Sequence, residues 1–190
     1  MDSSPVVLIT GGTAGLGSAA ARRFAKQGFR VVVNYNTNDD RANNLIGELV
    51  LVGNQLISKK GVHYIAIKAD LACRNEVYRL VQDAASVMGR IDVVFSNGGW
   101  TKFQDMTSLD DNVNEEDWDR AFNINVKSHL WLMHAAQDHL GKTEGSFIAT
   151  ASLAGVSQQG SSLVFISSLK QSSLNNVFRR IQSPNLLKYI

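Results

Sequence analysis

The chain is expected to fold as a doubly wound α/β domain around a parallel sheet, and three observations predict it. Short apolar runs alternate with helical stretches between Val6 and Ser152. Those runs lack strict polar–apolar alternation, as strands covered on both faces do. A glycine cluster, Gly11, Gly12, Gly15 and Gly17, lies between the first apolar run and the first helical stretch.

The elements follow in order. VVLIT (Val6 to Thr10) reads as a buried strand, and SAAARRFAKQG as a helix ending at Gly28. FRVVVNY is the second strand. Asp39 to about Val52 is helical, with Ala42, Leu45, Ile46 and Leu49 on one face. His63 to Asp70 is the third strand. Val77, Leu80, Val81, Ala84 and Met88 make a helical stripe, and Ile91 to Ser96 is the fourth strand. One long helix is predicted from about Glu116 to Leu140, then a fifth strand over Gly145 to Ser152. Gly53 to Lys60 fits none of these and is expected to be a surface excursion. The fifth strand is expected to sit at an open edge.

Composition narrows the function. At ~150 residues per domain, 190 residues make one domain, 1–190. Hydrophobic residues are 44% and charged residues 19%, which excludes a disordered or solvating chain. Nineteen basic against seventeen acidic side chains leave a net charge of +2, so neither nucleic acid nor a membrane is expected as a partner. The single Cys73 excludes an internal disulfide and fits a reducing, cytoplasmic compartment. No apolar run reaches the ~18 residues needed to span a bilayer, and MDSSPVVLIT has no basic segment of the signal-peptide kind.

The strongest motif is Thr10-Gly11-Gly12-Thr13-Ala14-Gly15-Leu16-Gly17. Gly11 permits a tight turn, Gly15 lets backbone approach a ligand, and Gly17 lets helix and strand pack closely. The helix then offers free N–H groups and a positive dipole end to a pyrophosphate. Ser18 follows where a P-loop would carry Lys, which disfavours that alternative.

At this spacing the chain resembles the short-chain dehydrogenase/reductase family, over about residues 5–164. Further motifs follow in order: Ala69-Asp70-Leu71 after the third strand, Ser96-Asn97-Gly98-Gly99 after the fourth, Asn125-Val126-Lys127 in the long helix, and Ser152 after the fifth strand. SNGG stands where the family has NNAG. The resemblance implies a Rossmann-like fold and hydride transfer between a nicotinamide and a carbonyl or alcohol carbon of a small-molecule substrate. It implies Ser152 and Asn125 as catalytic-site residues. It implies cofactor binding by Thr10, Gly11, Thr13, Gly15, Leu16, Gly17, Asn34, Asp70, Asn97, Gly98 and Lys127. It also suggests a homo-oligomer, since relatives often pair through the helices around Asn125. Taken singly, Asp70 also reads as a turn or helix cap, Asn97 as a strand tie and Ser152 as a loop serine.

One residue type is missing. In the family a Tyr follows the catalytic Ser by about thirteen residues, with a Lys one turn further along the same helix, where it lowers the Tyr pKa. Here Phe165 stands at the Tyr position and Leu169 at the Lys position. Lys170 is one residue too far, rotated by about 100°. The stretch 165–190 departs from the family. Two readings stay open: a pseudoenzyme, or a truncated or mis-joined form of an active parent.

Neutral Asn34, Tyr35, Asn36 and Thr37 end the second strand, where an NAD enzyme usually carries an acid, so NADP is favoured over NAD. Arg41 could serve a 2′-phosphate but reads better as a solvated helix residue. His129, His134 and His139, spaced by five, point about 140° apart in turn and make no metal site. Cys73 is expected to be buried. Trp100, Trp118 and Trp131 are expected in the core or a pocket wall, and Phe103 to Asn112 in a long loop beside the site.

Overall fold

Val6–Ile9 (β1) is entirely buried, with successive residues facing opposite sides of a sheet. A computed structural model describes residues 3–53, 63–155 and 161–171. In it, β1 is followed by helix α1 (Gly15–Lys26), β2 (Arg30–Tyr35), α2 (Asp39–Gly53), β3 (Tyr64–Lys68), α3 (Arg74–Met88) and β4 (Val93–Ser96). Then come α4 (Glu115–Phe122), α5 (Ser128–Thr143), β5 (Ser146–Ala149) and α6 (Leu163–Gln171). The strands pair in parallel in the order β3-β2-β1-β4-β5.

Alternate strand residues feed two apolar layers. Val7, Ile9, Val31 and Val33 pack against Ala21 and Ala25 of α1 and Leu45 and Leu49 of α2. Val6, Leu8, Val32 and Val94 pack against the α3 stripe and against Leu132, Met133, Ala136 and Leu140 of α5. Each fully buried Val or Leu contributes about 1.5–3 kcal/mol. Helices on both faces make this the expected doubly wound sheet. Its order reverses around β1, which puts a crevice at the carboxyl ends of β1 and β4.

Four expectations are corrected. The first helix begins at Gly15 rather than Ser18, so the glycine cluster supplies its first turn. The single long helix is two α-helices joined by a π-helical turn, Asn123–Lys127, that contains Asn125. The fifth strand ends at Ala149, short of Ser152. Cys73 is exposed, because it sits at the N-cap of α3 outside the core. Among the described residues β5 is an edge strand. The surface excursion expected after Gly53 and the divergent tail beyond Gln171 lie outside the described residues.

Candidate active site

Thr10 and Asn97 build the crevice. Thr10 is fully buried, and its Oγ1 accepts the backbone N–H groups of Asn97 and Gly98 at 2.9 and 3.0 Å. Asn97 Nδ2 donates to the carbonyls of Thr10 and Gly11 at 3.2 and 3.4 Å. Asn97 Oδ1 accepts from Thr150 Oγ1 at 3.2 Å, which ties in the end of β5. From the other side, buried Asn34 accepts the Gly11 N–H at 3.3 Å and donates to the Ala69 carbonyl at 2.9 Å. Thr10, Asn34 and Asn97 thus hold the shape of the glycine turn.

Close approach explains the glycines. Gly11 has φ +57°, and a Cβ there would lie 2.9 Å from Gly98 Cα. A Cβ on Gly17 would lie 2.3 Å from the Gly11 carbonyl oxygen. The start of α1 therefore presses onto the turn. Its first turn carries no acidic residue, whereas α2 begins with Asp39 and Asp40 and α4 with Glu115, Glu116 and Asp117. The positive end of α1 is left unneutralised. Thr13 is half-buried, while Gly15 and Leu16 are exposed on the rim.

Two cavities flank the Asn97–Trp100 segment. The first, about 350 Å³, is lined by Gly11, Asn34, Asn36, Asp70, Leu71 and Arg120, among others. Its size falls within the ~300–1,000 Å³ of small-molecule sites. Asp70 serves two ends there: Oδ1 caps a turn by accepting the Ala72 N–H at 2.9 Å, and Oδ2 faces Arg120 at 3.4 Å. The Arg120 guanidinium also lies 6.0 Å from the centre of the Trp100 ring.

The second cavity, about 280 Å³, brings Asn125, His129, Thr150, Ser152 and Phe165 to one wall. Phe165 comes from α6, so the residue at the family's Tyr position does enter the cavity that Ser152 borders. Ser152 Oγ accepts the Ala154 N–H at 3.2 Å, and among the described residues its own O–H is unspent. Asn125 is fully engaged: Oδ1 accepts the Trp100 N–H at 2.8 Å, and Nδ2 donates to the Trp100 carbonyl at 2.9 Å and to Ser168 Oγ at 3.0 Å. Lys127 is exposed and borders neither cavity. Lys170 lies in α6, one residue beyond the turn that would align it with Phe165.

The three histidines diverge. His134 Nδ1 meets the Tyr78 hydroxyl at 2.9 Å on the α3–α5 surface, and His139 borders a separate cavity beside Arg90 and Lys142. His129 alone turns inward, its Nδ1 2.6 Å from Ser96 Oγ. Burial pushes its pKa down to about 4, so the ring is neutral near pH 7. In the sequence this residue stands out only as one of three evenly spaced histidines. The available signal was its place one helical turn after Asn125, on the face shared with Trp118 and Phe122. Among the described residues no helix is long and apolar enough to cross a membrane.

Comparison with known proteins points to a family and a fold. A hydroxynaphthalene reductase-like protein Arp2 of Metarhizium acridum is 38% identical over 149 residues, covering 78% of this chain and 51% of the relative. Hydroxynaphthalene reductase arp2 of Aspergillus fumigatus is 29% identical over 163 residues, 85% of this chain and 55% of the relative. The chain thus spans about half the length of the curated relatives it matches. An NADH-dependent reductase A1-R′ solved with NAD superposes with TM-score 0.79 at 26% identity, over 93% of this chain and 70% of that one. An alcohol dehydrogenase of the archaeon Thermococcus sibiricus, solved with 5-hydroxy-NADP, shares the fold with TM-score 0.81 at 21% identity, over 97% and 73% of the two chains. A glycine turn braced by Asn97, a parallel sheet around a switch point, and a match to the short chain dehydrogenase model over residues 5–171 lead to one assignment: the chain belongs to the short chain dehydrogenase family.

Proposed function

We propose that the chain is an NAD(P)-dependent oxidoreductase acting on a small carbonyl or alcohol substrate, with its proton-transfer position silenced at Phe165. The observation that carries this reading is that Phe165 and Ser152 border one cavity, which shares the Asn97–Trp100 wall with the cavity under the glycine turn. One groove thus has a place for a dinucleotide at one end and for a substrate at the other.

The residues fit such a cofactor. Gly11, Gly15, Leu16 and Gly17 bring the uncompensated end of α1 to a diphosphate, and Thr10, Asn34, Asn97 and Gly98 keep that turn in shape. Asp70, Leu71 and Arg120 wall the far end of the groove. β2 ends without a carboxylate of its own, and the nearest in sequence, Asp39, is turned to the Tyr35 hydroxyl and to Lys68, 3.6 Å away. That favours NADP, with Asn36 and Thr37 toward a 2′-phosphate. When bound, the nicotinamide supplies or accepts the hydride. Ser152 donates its unspent O–H to the substrate oxygen. Asn125 holds Trp100, and with it the floor between the two cavities. Phe165 offers a ring where a general acid belongs, and loss of such a group costs ~10²–10⁴-fold in rate. The relatives' names make an aromatic or cyclic ketone the first substrate class to try. Pairing of two copies through α4 and α5, where Leu130 is exposed, and a cytoplasmic location for the free thiol of Cys73 belong to the same proposal.

Fluorescence titration with NADPH and NADH, followed by a carbonyl-reduction assay, tests the reading. It expects binding, tighter for NADPH, with trace turnover. Failure to bind either dinucleotide would overturn it. The second reading, a non-catalytic dinucleotide-binding protein, is favoured by the same Phe165. It expects binding with no turnover, unchanged by Phe165→Tyr.

A further inference from the structure

We propose that His129 is the second hydrogen-bond donor of the substrate cavity, and that with Ser152 it holds the oxygen of a flat cyclic ketone or phenol. This rests on the reductase reading above and adds a specificity-determining residue to it.

A count of the polar groups around the cavity leads there. Asn97 and Thr150 bond each other, Thr101 bonds Ser161, and Asn125 is spent on Trp100 and Ser168. That leaves the Ser152 O–H, the Trp100 indole N–H and the His129 ring, and of these only the His129 ring is buried and already fixed by a hydrogen bond at one of its nitrogens. His129 is 5% exposed, and its Nδ1 is fastened behind it to Ser96, itself fully buried. The ring is tied at Nδ1 and still borders the cavity, so we infer that the opposite edge of the ring, which carries Nε2, faces it. Buried polar groups ordinarily find partners, and a second ring nitrogen facing a cavity takes its partner from whatever fills that cavity.

The direction of that bond is part of the proposal: the Ser96 hydroxyl donates to Nδ1, so the proton of the neutral ring sits on Nε2 and faces the occupant, and a ring protonated at Nδ1 in the ¹⁵N spectra would overturn it. The rest of the wall is mostly carbon, from Trp100, Phe165 and Ala151, beside the backbone of Gly98 and Gly99. A mostly apolar chamber bordered by the Ser152 and His129 donors suits a flat carbon frame carrying one acceptor oxygen. No proton transfer is assigned to His129. It binds and orients, and the hydroxyl missing at residue 165 makes its hydrogen bond the more important.

The test uses the full chain saturated with NADP⁺, so that no reduction occurs, and two probes of one shape: 2-tetralone, which has an acceptor oxygen, and tetralin, which has none. Calorimetry reads the preference for the ketone, and ¹⁵N-edited histidine spectra read the tautomer of His129. The expected result is a preference of about tenfold, the size of one good hydrogen bond. It should fall at least fivefold in His129→Phe and stay within about threefold of wild type in His129→Gln, which keeps an N–H donor. The His129 Nε2–H resonance should shift with 2-tetralone and not with tetralin. Where His129→Phe fails to fold, His129→Gln and the resonance decide. A wild-type protein that binds NADP⁺ but shows no ketone preference, or a preference that survives His129→Phe, overturns the assignment of His129 alone. Absence of NADP⁺ binding overturns the reductase reading instead.

Discussion

Thr10 and Asn97 hold each other: Thr10 Oγ1 takes the Asn97 N–H at 2.9 Å, and Asn97 Nδ2 returns a bond to the Thr10 carbonyl at 3.2 Å. Two strands and the glycine turn meet in this exchange. Thr10→Val and Asn97→Ala should each cost about 1–3 kcal/mol, the penalty for orphaning buried polar groups. Because they share partners, the double variant should lose less than the sum of the two. Urea unfolding measures the stabilities. NADPH titration should show affinity falling severalfold in each single variant, since the turn it would bind has lost its brace. Strict additivity with unchanged NADPH affinity would contradict the coupling.

Phe165 enters the cavity that Ser152 borders, so restoring a hydroxyl there should restore chemistry. Phe165→Tyr should raise kcat/KM for ketone reduction by about tenfold, short of the ~10²–10⁴ of a tuned general acid, because Leu169 stands where the family has the Lys that lowers the Tyr pKa. Phe165→Tyr with Leu169→Lys should gain more. NADPH affinity should change little in the single variant. Equal rates in all three proteins would remove the proton-transfer account of Phe165.

The strands and the glycine turn were legible in the sequence because each depends on local pattern. Val6 to Ile9 and Val31 to Val33 have no polar interruption, and only glycine fits where a Cβ at residue 17 would meet the Gly11 carbonyl. Phe165, thirteen residues after Ser152, lines the same cavity as Ser152. The π-helical turn around Asn125 was not legible, because one extra residue in a helical turn leaves no mark on apolar periodicity. That Thr10 and Asn34 spend their polar atoms on the backbone around the glycine turn is not visible in the sequence either. Which way a side chain faces depends on neighbours distant in sequence. His129 was passed over for the same reason: its partner Ser96 lies 33 residues away.

Gly15 and Gly17 should fail differently on substitution. Gly17 has ordinary φ but no room, so Gly17→Ala should destabilise by about 1–3 kcal/mol through overpacking. Gly15 has open space but φ +48°, so a substitution there costs about 1–2 kcal/mol of backbone strain. Asn tolerates that conformation better than a β-branched residue. Gly15→Asn should therefore melt above Gly15→Val, and Gly17→Ala should weaken NADPH binding more than Gly15→Asn does. The reverse order in binding would show that the close packing at Gly17 is not what shapes the turn.

His129 should also leave a mark on stability against pH. Burial lowers its pKa from 6.5 to about 4, so between those values the unfolded chain takes up a proton that the folded chain refuses. Stability from this group is full above pH 6.5 and falls as pH drops toward 4, by up to ~3 kcal/mol. Below that the contribution levels off. Carboxylates titrating nearby contribute equally to wild type and to a variant that changes only the ring, so the difference between two curves isolates the histidine. Urea unfolding of wild type and His129→Gln from pH 7.5 to 4.5 should give curves that converge as the pH falls, the wild type losing more. Curves that stay parallel over that range would mean that the ring takes up its proton as readily in the folded protein as in water, and would undo both its burial and its neutrality in the cavity.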